Sequence, residues 1–191
     1  MKNKYLSSQG IIIEYQEDNA ILIDLNMGKK RYSPKKFKNN MCRGAWVNTI
    51  FHDDILEDIK IDAIPSQLAQ NDLLFLHHTL EVLNLITAWD DPNQEIKNIL
   101  KLLYCNMLVN NKKLQLIFLG QLFIVLGIYS NIPNNLHIWL MQEPIWKINY
   151  NYIVHDKNYD MISTLKNWLI TTINEYNKSK NIKTISFLNK A

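Results

Sequence analysis

Cysteine is nearly absent from this chain. Cys42 and Cys105 stand far apart with no companion near either, which excludes a disulfide scaffold and any zinc site built on cysteines. Glycine is also sparse, and no pair of the five has the spacing of a phosphate-cradling loop. Neither a Gly-x-Ser-x-Gly elbow nor a His-Glu-x-x-His metal spacing occurs. The opening MKNKYLSSQG lacks the apolar stretch of a signal peptide, so a reduced, cytoplasmic setting is expected. Only one segment, Leu114 to Tyr129, is almost wholly apolar. It is shorter than the ~20 residues a bilayer span requires and contains Gln115 and Gln121. A helix buried on most sides, with no membrane involvement, is the expectation.

What is present is ordinary for a globular protein. Hydrophobic residues make up 47% and charged residues 20% of 191 positions, enough for a real core and one large or two small domains. The net charge of +3 implies no polyanionic partner by itself, so clustering matters more than balance. The richness in Asn, Lys and Ile is a compositional bias of the kind an AT-rich genome produces, and it discounts simple counts of those residues.

The first third reads as strands. Gly10 to Tyr15 and Ala20 to Leu25 are β-rich runs separated by the turn Glu17-Asp18-Asn19. Trp46 to Phe51 alternates in part, His52-Asp53-Asp54 can turn the chain, and Ile55, Glu57, Ile59 and Ile61 recur at a period of two. Short strands at this spacing predict a small barrel or curled sheet.

Pro65 marks a change. Ser66 can cap a helix whose apolar positions Ala69, Leu73, Leu76, Leu80 and Leu83 run on towards Trp89, where Asp90-Asp91-Pro92 stops it. Further helices are expected over 94–108, 112–129 and 161–176. Residues 136–157, with Trp139, Pro144, Trp146, Tyr150 and Tyr152, read as mixed, and the chain beyond Asn177 reads as a basic tail. Strands followed by helices make the class α+β, with a β domain over 1–65 and a helical domain over 66–191.

No catalytic constellation emerges. His77 and His78 are helix neighbours pointing about 100° apart, so they cannot share a ligand; one on the surface and one in a polar contact is the plain expectation. Glu17-Asp18, Asp53-Asp54 and Asp90-Asp91 all fall at turns, where Asp serves the backbone. The chain is therefore read as a non-enzyme with no cofactor, metal or catalytic residues.

The strongest local signal is the run KKRYSPKKFKNNMCR. It holds Lys29, Lys30, Arg31, Lys35, Lys36, Lys38 and Arg43 with no acid among them, and Tyr32 and Phe37 interleave. Clustered cations neutralise phosphates and release counterions, while aromatics stack on unpaired bases. A DNA-binding loop carried on a small barrel is one reading of these nine residues; a solvated basic loop is the other.

The order of elements resembles the RecO family, bacterial recombination mediators. The likeness lies in the opening strands Gly10 to Asp18 and Ala20 to Leu25 followed by the basic stretch. It lies also in the run Leu119 to Tyr129, similar to the family's helix with a leucine-glycine-aromatic end, and in Ile182-Lys183-Thr184-Ile185-Ser186-Phe187-Leu188, similar to its closing segment. The zinc-binding cysteines common in that family are missing here. The resemblance implies an N-terminal OB-fold (OB-like barrel) followed by helices. It further implies binding of single- and double-stranded DNA, strand annealing and help in loading RecA, with RecR and single-strand-binding protein as partners. The competing expectation is a protein-interaction or scaffold module anchored by the Trp139 to Tyr152 aromatics.

Overall fold

The computed structural model describes residues 5–16, 19–33, 41–64, 73–104, 111–142, 159–176 and 183–190. Among these, five strands form one antiparallel sheet and the helices follow, so the class is α+β as the sequence predicts. The strands are β1 (Tyr5–Gln16), β2 (Asn19–Asp24), β3 (Gly28–Tyr32), β4 (Trp46–His52) and β5 (Ile55–Ala63), in spatial order β3-β2-β1-β4-β5. The sheet is open, without pairing between β3 and β5.

β1 organises the sheet. Its first half pairs with β4, from Tyr5↔His52 to Ile11↔Trp46, and its second half with β2, from Gly10↔Asp24 to Gln16↔Asn19. A bulge between Ile12 and Glu14 bends the strand between its two partners. The uninterrupted Ile11-Ile12-Ile13 is explained by burial on both faces. Ile11, Ile13, Ile21 and Ile23 join the main core with the helices, whereas Ile12, Ala20, Leu22, Val47 and Ile59 form a second, smaller cluster across the sheet. The β4–β5 hairpin turns at Asp53 and Asp54, both with positive φ (47° and 65°), the requirement of a tight two-residue turn.

The helices are α1 (Leu73–Ile86), α2 (Ile96–Lys101) leading into a 3-10 turn at Leu102–Tyr104, α3 (Lys112–Val125), α4 (Asn134–Gln142), α5 (Tyr159–Tyr176) and α6 (Lys183–Lys190). The apolar segment is α3, where every side chain from Leu114 to Ile124 is buried. Asn111 caps it, its side chain accepting from the Leu114 amide at 3.1 Å. Gln121 satisfies its buried amide on the Leu140 carbonyl at 3.0 Å. Among the described residues no helix is long and apolar enough to cross a membrane.

The helix read on to Trp89 ends at Ile86 and the one expected to 129 ends at Val125, and two further expectations need correcting. The first half-run of the basic segment is a strand, β3, not a loop. The chain end is not merely a tail, because 183–190 forms α6. This helix docks on α1: Leu188 is fully buried, and the α6 N-terminal amides of Lys183 and Thr184 donate to the Glu81 carboxylate at 3.3 and 3.0 Å. The Thr184 hydroxyl donates to Glu81 at 2.7 Å and lies 3.4 Å from His78 Nδ1. His77 is exposed and His78 buried in this polar contact, as their adjacency on a helix predicts. Burial pushes His78 below its ordinary pKa against the attraction of Glu81. Burial pushes Glu81 up, but its hydrogen bonds from Thr184 and Lys183 outweigh that and leave it low.

Candidate nucleic-acid interface

β3 follows a tight connection made by a buried carboxylate. Asp24 is fully buried and accepts from the Ser8 and Thr49 hydroxyls, both at 2.6 Å, and from the Asn26 and Met27 amides at 2.9 and 3.1 Å. Gly28 then enters β3 at φ 76°. A side chain there would meet the backbone of Asp90 and Asp91, with the nearest atom at 2.5 Å. The 89–91 segment therefore lies directly on the β3 start, joined by an isolated parallel bridge between Lys29 and Trp89 and by the Asp90 amide donating to the Lys29 carbonyl at 3.1 Å.

Strand alternation splits the basic run. Lys29 and Arg31 emerge on one face and Lys30 and Tyr32 on the other. Lys29, expected at the surface, is only 3% exposed. Its ammonium donates to the Asn84 carbonyl at 2.5 Å and the Thr87 carbonyl at 3.4 Å, both at the C-terminal end of α1, where a cation meets the negative end of the helix dipole. It also lies 4.5 Å from the Trp89 ring centre. Lys30 pairs with Asp90 at 3.6 Å. Tyr32 is half-buried beside the second cluster, and burial followed by the charges of Asp24 and Asp90 pushes its phenol up. Arg31 is exposed, its guanidinium 5.5 Å from the Trp89 ring.

Arg43 lies at the other end of the run. Its Nε donates to the Ile13 carbonyl at 2.9 Å beside the β1 bulge. Burial lowers its pKa while Glu81 and Glu14 oppose that; a guanidinium stays charged regardless. Lys35, Lys36, Phe37 and Lys38 lie outside the described residues, as do Trp146, Tyr150 and Tyr152. Trp139 is partly buried against the main core.

Arg31 and Arg43 line one groove of about 730 Å³ between the sheet and α1, with Glu14, Gln16, Asn19, Asn84 and Trp89 among its other walls. That volume falls in the range of small-ligand sites. Two carboxylates line the same groove: Glu81 holds α6 and Glu14 accepts from the Asn84 amide at 3.3 Å, and the charges of both act on Arg43. Sequence reasoning missed Trp89. It reads as the last residue of a helix, but α1 ends at Ile86 and Trp89 stands 48% exposed. Its one sequence signal was a tryptophan directly before the Asp-Asp-Pro stop, outside the helical apolar register.

A scan against protein-family models finds no match, and no curated protein matches this chain.

Proposed function

We propose that this chain is a non-catalytic single-strand DNA-binding protein of the RecO type, whose sheet is an OB-like module gripping the strand with the basic run. Pairing β3 to β5 would close the five strands into the small barrel such modules use. The observation that carries the reading is the convergence of Arg31 and Arg43 on one groove. Twelve residues apart in the chain, both line its wall, and the acid-free stretch between them in the sequence carries Lys35, Lys36 and Lys38.

Lys29 is withdrawn from the contact set by its burial. The working cations are Arg31, Lys35, Lys36, Lys38 and Arg43, supplemented by Lys30 where Asp90 releases it. Annealing, RecA loading, and partnership with RecR and single-strand-binding protein follow as part of the same proposal, resting on the family resemblance alone.

The test is fluorescence anisotropy with a labelled oligo-dT at stepped salt. The logarithm of affinity should fall with that of salt by about 0.7 for each phosphate neutralised. Reversing Lys35, Lys36 and Lys38 to Glu should abolish binding. A triple variant that binds as well as the parent removes the proposed site.

A further inference from the structure

Trp89 is an unusual residue to leave half in water. Large aromatics are among the most profitable groups to bury, and the main core passes close by, yet 48% of this one is exposed on the groove. It is not a loose side chain on a loose loop. Its backbone is held against β3 by the parallel Lys29↔Trp89 bridge, which includes the Asp90 amide bond to the Lys29 carbonyl, and by the close seat of residues 90–91 on Gly28. The buried Lys29 ammonium supports the ring at 4.5 Å, a cation–π contact that restrains its orientation. A rigid, half-exposed ring is the preorganised surface a flat aromatic ligand requires.

The surroundings specify what kind of flat ligand. Arg31 is exposed and lies over the ring with its guanidinium 5.5 Å from the centre, too far for close stacking, and as a base takes its place it can swing onto the adjoining phosphate; no carboxylate pairs with it among the described residues. Gln16, Asn19 and Asn84 supply amides to the walls, Gln16 and Asn84 each donating to Glu14 at 2.8 and 3.3 Å; an amide has two N–H groups and an oxygen, so one donor spent leaves it able to donate and accept. An aromatic platform, an adjacent cation and ambidextrous amides suit a nucleobase of any identity with a phosphate attached. We propose that Trp89 is the stacking platform for one unpaired base of a bound single strand, with the neighbouring phosphate on Arg31. This rests on the nucleic-acid reading above and assigns that reading its anchor point outside the basic run.

The experiment compares the parent with Trp89→Ala and Trp89→Phe on two ligands of equal length: oligo-dT and an abasic deoxyribose-phosphate strand. Trp89→Ala is expected to weaken oligo-dT binding about tenfold to a hundredfold, the range of one lost base stack, while leaving the abasic strand and the salt slope unchanged. Trp89→Phe should recover most of the affinity. Arg31→Gln should lower the salt slope by about 0.7 on both ligands.

Intrinsic fluorescence gives a second readout that does not depend on the alanine variant folding. Oligo-dT should quench the parent's emission, and that quench should be lost in Trp89→Phe although binding persists. Unaltered oligo-dT affinity in a folded Trp89→Ala, or equal quenching in Trp89→Phe, overturns the stacking assignment and leaves the proposed function standing. A parent that binds neither ligand removes both.

Discussion

Gly28 and Gly127 provide a matched pair for measuring how firmly the Trp89 segment sits on the sheet. Both have φ 76°, so replacing either with Ala imposes the same left-handed cost, about 1–2 kcal/mol. Both replacements also stiffen the unfolded chain to the same degree, which returns about 0.4–1 kcal/mol. The surroundings differ. A Cβ on Gly127 would meet nothing within 4 Å, whereas on Gly28 it would lie 2.5 Å from the Asp91 nitrogen and 2.8 Å from the Asp90 carbonyl carbon. Those are backbone atoms, so no side chain can swing aside and the 89–91 segment itself must move. Overpacking of this kind costs about 1–3 kcal/mol. Gly127→Ala should therefore cost roughly 1 kcal/mol, and Gly28→Ala a further 1–3 kcal/mol. Urea denaturation followed by circular dichroism measures both, with the slopes compared to confirm that only stability has changed. Two variants within about 0.5 kcal/mol of each other would refute the close seating, and with it the claim that Trp89 is held rigidly.

Three further outcomes follow from the same geometry. Lys29→Met keeps the stem but removes the ammonium from the Asn84 and Thr87 carbonyls; it should cost about 1–3 kcal/mol in stability and leave the oligo-dT salt slope unaltered, whereas a reduced slope would return Lys29 to the phosphate contacts. Asp24→Asn can keep an oxygen for Ser8, Asn26 and Met27 and turn its NH₂ to the Thr49 hydroxyl, which then accepts, so the loss of charge alone should cost about 1–3 kcal/mol by urea titration. The docking of α6 should be acid-sensitive in two windows. His78 has a depressed pKa when folded, so below about pH 6.5 the unfolded chain takes up a proton that the folded chain resists, and stability falls as pH drops from 7.5 to 5.5. Glu81, also depressed, contributes stability above the ordinary carboxylate range that is lost as pH falls through it towards the folded value. Urea midpoints across pH should show the first window reduced in His78→Gln and the remainder removed by adding His77→Gln, whose pKa burial also lowers; an unchanged profile in His78→Gln would mean His78 is not a responsible group.

The primary structure was informative where a local rule governs. Strand periodicity and turn residues placed β2, β4, β5 and the second half of β1, because alternation and Asp turns act over a few residues; Tyr5–Gln9, which pairs with β4, was not read as strand. Helical spacing placed α1, α3 and α5 for the same reason, and the apolar Leu114 to Ile124 run announced the central helix through its hydrophobicity alone. β3 was not legible: Gly-Lys-Lys-Arg-Tyr has no apolar alternation, and it is a strand because β2 offers it a ladder from Ala20↔Tyr32 to Asp24↔Gly28. α6 was equally hidden, since its eight residues are too few to be helical alone and depend on Glu81 and the burial of Leu188.

The chain itself thus determined the class, the order of elements and the existence of an acid-free cationic segment. Only tertiary structure decided what each cation does. Side chains adjacent in β3 leave it on opposite faces, and the partners that await them come from far along the chain: Asn84 and Thr87 for Lys29, Asp90 for Lys30, Trp89 for Arg31. Charge is a property of composition, but its availability to a ligand depends on desolvation and pairing, which exist only once distant segments have packed.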